Sequence, residues 1–138
     1  MKKFLLLVAL LFFISISQAQ HSWKISLNKK TVIASSESDE LLNSKKIKPS
    51  EWQKTGYLEI SFKEKNSNNW LHSFQFNDES GNLLMTKDTV TTVKIPNAEI
   101  RKLFKGKKQV KIYMVINPPD PRMMAPSRML HLGTLSLL

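Results

Sequence analysis

Apolar residues return at every second position in four separate runs of this 138-residue chain. In "WKISLN" Trp23, Ile25 and Leu27 alternate with Lys24, Ser26 and Asn28. In "YLEISFKEK" Leu58, Ile60 and Phe62 alternate with Glu59, Ser61 and Lys63. Trp70, His72, Phe74 and Phe76 share one parity opposite Leu71, Ser73 and Gln75, and Val110, Ile112, Met114 and Ile116 oppose Lys111, Tyr113 and Val115. Side chains alternate between two faces along a strand, so this period belongs to strands with one buried face and cannot come from a helix.

Turn chemistry separates the runs. "NDESGN" holds Gly81, which can take positive φ, and predicts a hairpin from the Phe76 strand into "LLMTK". "NKKT" joins Leu27 to a short "TVIAS" strand, and "KNSNN" is expected to return the Tyr57 strand as a second strong hairpin. "SESDELLNSKK" has no readable pattern and is expected to be a long loop. In the final strand Leu130 and Leu132 have one parity and Leu135 and Leu137 the other. A bulge at Gly133 would let both pairs face the core.

"PNAEIRKLFKG" reads as a short helix with Asn97 as its cap, Ile100, Leu103 and Phe104 on one side, and Gly106 as its stop. "PSEWQKTG" reads as one capped turn. The expectation is an all-β, mainly antiparallel fold: one β-sandwich domain of about seven or eight strands with one short helix. A small β-barrel is the alternative.

The first nineteen residues have a different purpose. Lys2 and Lys3 precede an apolar run from Phe4 to Ile16, and Ser17 and Ala19 are small residues at the two positions a signal peptidase reads. The run is shorter than the about 20 apolar residues a membrane span needs. The expectation is a cleaved secretory leader, 1–19, ahead of a single domain, 20–138, that is periplasmic or secreted, with no integral membrane segment. In leader and composition the chain resembles small exported bacterial proteins, a likeness that implies an address and no activity. The chain has no cysteine, so no disulfide supports it and a packed core must.

Twenty-one basic against eleven acidic residues favour acidic partners. The lysines fall in small clusters (Lys29-Lys30, Lys45-Lys46 with Lys48, Lys105 with Lys107-Lys108) without a basic stripe interleaved with aromatics. No nucleic-acid module is therefore expected.

Catalytic signatures are missing. There is no Gly-x-Ser-x-Gly elbow, no cysteine nucleophile, and the three histidines lie far apart in sequence. Zinc ligands at short spacing are absent, and "NDESGN" is too short for a calcium loop. No cofactor is expected. Most acids, Asp78 and Asp120 included, fall in turns, where carboxylates are ordinarily solvated. A hydrolase with an unrecognised carboxylate pair is the weakest reading.

One segment stands out. "NPPDPRMMAPSRMLHL", from Asn117 to Leu132, packs prolines, methionines and arginines together. Pro118, Pro119 and Pro121 fix three φ angles and remove three donors, so the ladder must stop there. Arg122, Met123, Met124, Arg128, Met129 and His131 are the candidate binding residues. A stiff loop with apolar tips and charged shoulders loses little entropy on binding. The leading expectation is a non-enzymatic binding domain of the bacterial envelope. Its partner would be a protein or an anionic envelope component, held by this loop or by the basic clusters. Soft thioether ligands make a copper(I) carrier using Met123, Met124, Met129 and His131 the alternative. The competing structural expectation is a loop folded back, with methionines filling gaps beneath it.

Overall fold

The computed structural model of the chain describes residues 21–53, 55–65, 69–88 and 90–137. The leader read at 1–19 lies outside the described residues. Among the described residues, nine strands and two short helices follow in the order β1 His21–Leu27, β2 Lys30–Ser35, β3 Ser44–Ile47, α1 Pro49–Gln53, β4 Tyr57–Glu64, β5 Leu71–Asp78, β6 Leu83–Asp88, β7 Thr92–Pro96, α2 Asn97–Phe104, β8 Gln109–Asn117 and β9 Arg128–Leu137. They form two sheets, β2-β1-β4-β7 and β3-β9-β8-β5-β6, a mainly antiparallel, all-β sandwich. The expected alternation sets the interior: Trp23, Ile25, Leu58, Ile60 and Phe62 from one sheet meet Phe74, Phe76, Ile112, Met114 and Leu135 from the other.

The turns follow their chemistry. Asn28 and Lys29 have φ of 52° and 68°, so the β1–β2 connection turns through two left-handed residues, which match the strand twist. Gly81 has φ 84° in the β5–β6 hairpin and Gly106 has φ 75° just past α2. The bulge falls where the leucine parities place it. Ile112 pairs with Gly133 and Tyr113 with His131, which leaves Leu132 out of the β8–β9 ladder. Its carbonyl instead accepts the indole Nε1–H of Trp23 at 2.8 Å across the two sheets. Leu132 and Leu135 are both fully buried.

Several expectations need correction. Among the described residues the strands number nine, against seven or eight, and the capped turn read in "PSEWQKTG" is α1. The stretch read as a loop contains β3, which pairs parallel with β9, and β7 went unread. β4 and β5 lie in different sheets, so the connection at 65–70 crosses between sheets and is no hairpin. Asn97 does not cap α2, since Pro96 holds that position with no side-chain cap bond. Asn97 is buried, and its Nδ2 donates to Asn28 Oδ1 at 2.7 Å.

Asp78 is no solvated turn acid. It is 2% exposed and its carboxylate accepts from the backbone N–H of Ser80 and Asn82, the Asn82 side chain and the Lys107 ammonium, all within 3.1 Å. The Asn82 bonds, with the other donors, hold its pKa down at about 2.

The sandwich has two unlike ends. β4 starts at Tyr57 and finishes at Glu64, and β1 runs the other way, pairing Leu27 with Leu58 and His21 with Glu64. The helices cover the Tyr57 end, where the Trp52 and Phe104 rings meet edge to face at 4.6 Å. The proline-methionine connection leaves from the opposite end.

Candidate functional site

The β8–β9 connection, 118–127, has no regular structure and projects from the end of the five-stranded sheet. Three prolines explain why the ladder stops, and Asp120 explains the shape of the turn. Asp120 Oδ1 accepts the Arg122 backbone N–H at 2.9 Å, and the Asp120 carbonyl accepts the Met123 N–H at 3.0 Å. The Arg122 guanidinium then closes on the same carboxylate, Nε at 3.2 Å and Nη2 at 3.0 Å. These bonds hold the Asp120 pKa below its ordinary value. At the base of the loop the Ser127 hydroxyl donates to the Asn117 side chain.

The methionines do not fill gaps beneath the loop. Met124 is 100% exposed, Met129 51% and Met123 43%. Arg122 and Arg128 are exposed beside them. Met129 pairs with Val115 and Val115 with Ser73, so all three share the outer face of the sheet. Leu71, two residues before Ser73, has the same parity and is 45% exposed at the same end. Leu71, Val115 and Met129 therefore lie on one outer face at the end of the sheet from which the loop with Met123 and Met124 leaves, and Arg122 and Arg128 flank the two loop methionines in sequence. Leu71 was placed outward by its parity, but nothing in the sequence set it beside this loop.

His131 continues the same face of β9 two residues beyond Met129, but it is covered. It is 5% exposed, its Nε2 lies 2.8 Å from Thr134 Oγ1, and Tyr113 packs edge-on against its ring. Ser38 bonds both its backbone N–H and its carbonyl, bringing the 36–43 segment over this part of β9. In the copper(I) grouping the thioethers are thus exposed, whereas the histidine is buried with its Nε2 already bonded to Thr134. Burial lowers the His131 pKa, aided by Lys111 and opposed by Glu40. The unfolded chain binds the extra proton below 6.5, so this contribution to stability is whole above 6.5 and lost as pH falls through the lower folded value. Melts from pH 7.5 to 5 should show wild type losing stability relative to His131→Gln. A constant difference across that range would contradict the assignment.

The structure also gathers groups that are distant in sequence. Glu64 Oε2 lies 3.1 Å from His72 Nε2 and Glu64 Oε1 lies 3.5 Å from His21 Nδ1, linking the two sheets at the loop end. Phe62 packs against both imidazoles, and His72 Nδ1 is 2.9 Å from the Trp70 carbonyl. A signal for this cluster exists, since His21, Glu64 and His72 all continue the inward parity of their strands. It holds one carboxylate, whereas the hydrolase reading calls for a pair. Among the described residues no group of three His, Cys, Asp or Glu side chains is arranged to hold a metal ion.

The basic clusters converge in part. Lys30, Lys45, Lys46 and Lys48 line one cleft between β2 and β3, each an edge strand of its sheet. Lysines on exposed edges discourage pairing with another chain, which accounts for their placement. Lys107 is instead spent on Asp78, at 3.1 Å.

Comparison with protein families, curated proteins and solved structures finds no match for this chain.

Proposed function

We propose that this protein is an exported, non-enzymatic binding domain that recognises a macromolecule of the bacterial envelope through the 118–127 loop and the adjoining outer face of β5, β8 and β9. The observation that carries this reading is the exposure of Met123, Met124, Met129 and Leu71 together at one end of the sandwich. Large apolar side chains grouped at a surface mark interaction sites more often than scattered ones do. The prolines and the Asp120 bonds fix the loop before binding, which reduces the ordering cost. Methionine adapts to irregular partner surfaces, and arginine at the margin selects anionic groups. The partner that fits is a protein with an apolar hollow bordered by carboxylates or phosphates. Export rests on the leader pattern at 1–19.

The test is a double substitution, Met123→Ser with Met124→Ser. Both side chains are exposed, so the melting temperature should stay within about 2 °C of wild type. Capture of the partner from envelope extract should fall about tenfold, because apolar anchors at a loop tip carry binding energy. Charge reversal at Arg122 and Arg128 should slow association in a salt-dependent manner. Unchanged capture by the serine variant at unchanged stability would remove the loop from the function.

A further inference from the structure

At the other end of the sandwich, α1, α2 and the end of β9 line an open cleft of about 330 Å³. Its walls are Pro49, Trp52, Phe104 and Leu137, and its rim carries Arg101 and Lys105. From these residues we propose a second binding site, for a small carboxylate with a compact apolar body, independent of the loop surface. The volume lies at the lower end of the range of small-molecule sites, about 300–1,000 Å³.

Three features favour this ligand class. The walls are aromatic and aliphatic, so an apolar body gains by leaving water. Both charged groups lining the cleft are cations, and none of its lining residues is acidic. Neither Arg101 nor Lys105 takes part in a salt bridge among the described residues.

The arginine is also fixed in place. Its Nη1 donates to the Trp52 carbonyl at 2.7 Å, which anchors the guanidinium between the two helices and leaves its other donors available. A guanidinium held in this way is suited to a carboxylate, and the neighbouring ammonium adds a point charge. Beneath the rim the Trp52 indole Nε1 is buried and has no hydrogen-bond partner among the described residues.

The helices are held by a polar knot rather than by their own length. Asn28 Nδ2 donates to the Glu51 carbonyl at 2.9 Å, Asn97 Nδ2 donates to Asn28 Oδ1, and Asn97 N–H donates to the Gly56 carbonyl at 2.9 Å. This ties α1, the β1–β2 turn, the start of β4 and the start of α2 together. The cleft is therefore preformed by bonds outside its own lining.

Isothermal titration of the leaderless chain with sodium octanoate, octan-1-ol and sodium acetate tests the proposal. Octanoate should bind with a stoichiometry of one, octan-1-ol about tenfold more weakly, and acetate without measurable heat. Lys105→Gln alters only an exposed side chain, so it should leave the melting temperature unchanged and weaken octanoate binding severalfold. Arg101→Gln should weaken octanoate at least as much, with octan-1-ol affected less. The Met123→Ser, Met124→Ser variant should bind octanoate as wild type does, which separates this site from the loop. No saturable octanoate binding up to about 10 mM would overturn the proposal. So would equal affinity for octanoate and octan-1-ol. Cations that alter stability but not octanoate affinity would be serving the C-terminal end of α2 alone, and that outcome also refutes it.

Discussion

Truncating Phe62 to alanine is expected to cost about 3–5 kcal/mol, and Ile112→Ala about 2–5 kcal/mol, as large-to-small changes at buried sites do. Phe62 is 3% exposed, and its ring lies between Trp23, His21 and His72, with centroids 6.3, 5.6 and 6.0 Å away. Ile112 is completely buried beside the bulge that lets β9 turn both leucine pairs toward the core. The loss includes transferred apolar area and the cavity that neighbours cannot close, because interiors are packed at crystal density. Lys63, one residue on from Phe62, faces solvent, so Lys63→Ala should change stability by no more than about 0.5 kcal/mol. Urea denaturation of the three variants decides the matter. Comparable midpoints for Phe62→Ala and Lys63→Ala would mean that the strand faces are reversed.

A second large effect is expected where nothing apolar is removed. A Cβ added at Gly56 would stand 2.0 Å from Asn28 Oδ1 and 2.9 Å from Asn28 Cγ. Asn28 cannot simply move aside. Its side chain is committed to Glu51 and Asn97, and its φ of 52° is fixed by the two-residue turn. Gly56→Ala must therefore break the knot, leaving polar atoms of the buried Asn97 short of partners. Overpacking of this kind costs about 1–3 kcal/mol, and each lost hydrogen bond about 1 kcal/mol more, so a total near 3 kcal/mol is expected. Asn28→Gly in the same chain removes the obstructing group and tolerates the positive φ. The double variant should regain part of the loss, a coupling readable in a mutant cycle. A Gly56→Ala variant as stable as wild type would show that the knot carries no energy.

Local patterns were legible because they are periodic. Parity identified the inward side of β1, β4, β5 and β8, and glycine chemistry marked the β5–β6 turn and the end of α2. Two strands escaped because they hold too little pattern. β3 is Ser44-Lys45-Lys46-Ile47 with one buried residue, and β7 buries only Ile95. They are strands because β9 and β4 offer backbone partners, which no local signal records. Parity also gives a face, not a neighbour. It placed Phe62 and Phe74 inward without revealing that β4 and β5 belong to opposite sheets.

The same parity would have located the polar interior had it been followed to the strand ends. Glu64 continues the Leu58-Ile60-Phe62 series, and Asp78 continues Phe74-Phe76. Composition argued otherwise, since carboxylates at strand ends are ordinarily solvated. What reverses that preference for Asp78 is the convergence of four donors on one carboxylate, a property of the folded turn. At the candidate site, the proline block made the projection of the loop readable, whereas the exposure of its methionines and its proximity to Leu71 depend on register across three strands.

Methionine oxidation followed by mass spectrometry addresses the recognition surface most directly. In dilute hydrogen peroxide Met124 should oxidise first, Met123 and Met129 next, and the fully buried Met114 last, since access governs the rate. Addition of the envelope fraction that the protein captures should slow oxidation at Met123, Met124 and Met129 while leaving the half-buried Met85 of β6 unchanged. Protection confined to those three residues is expected. Capture of envelope material with the loop methionines oxidised as fast as in the free protein would contradict it.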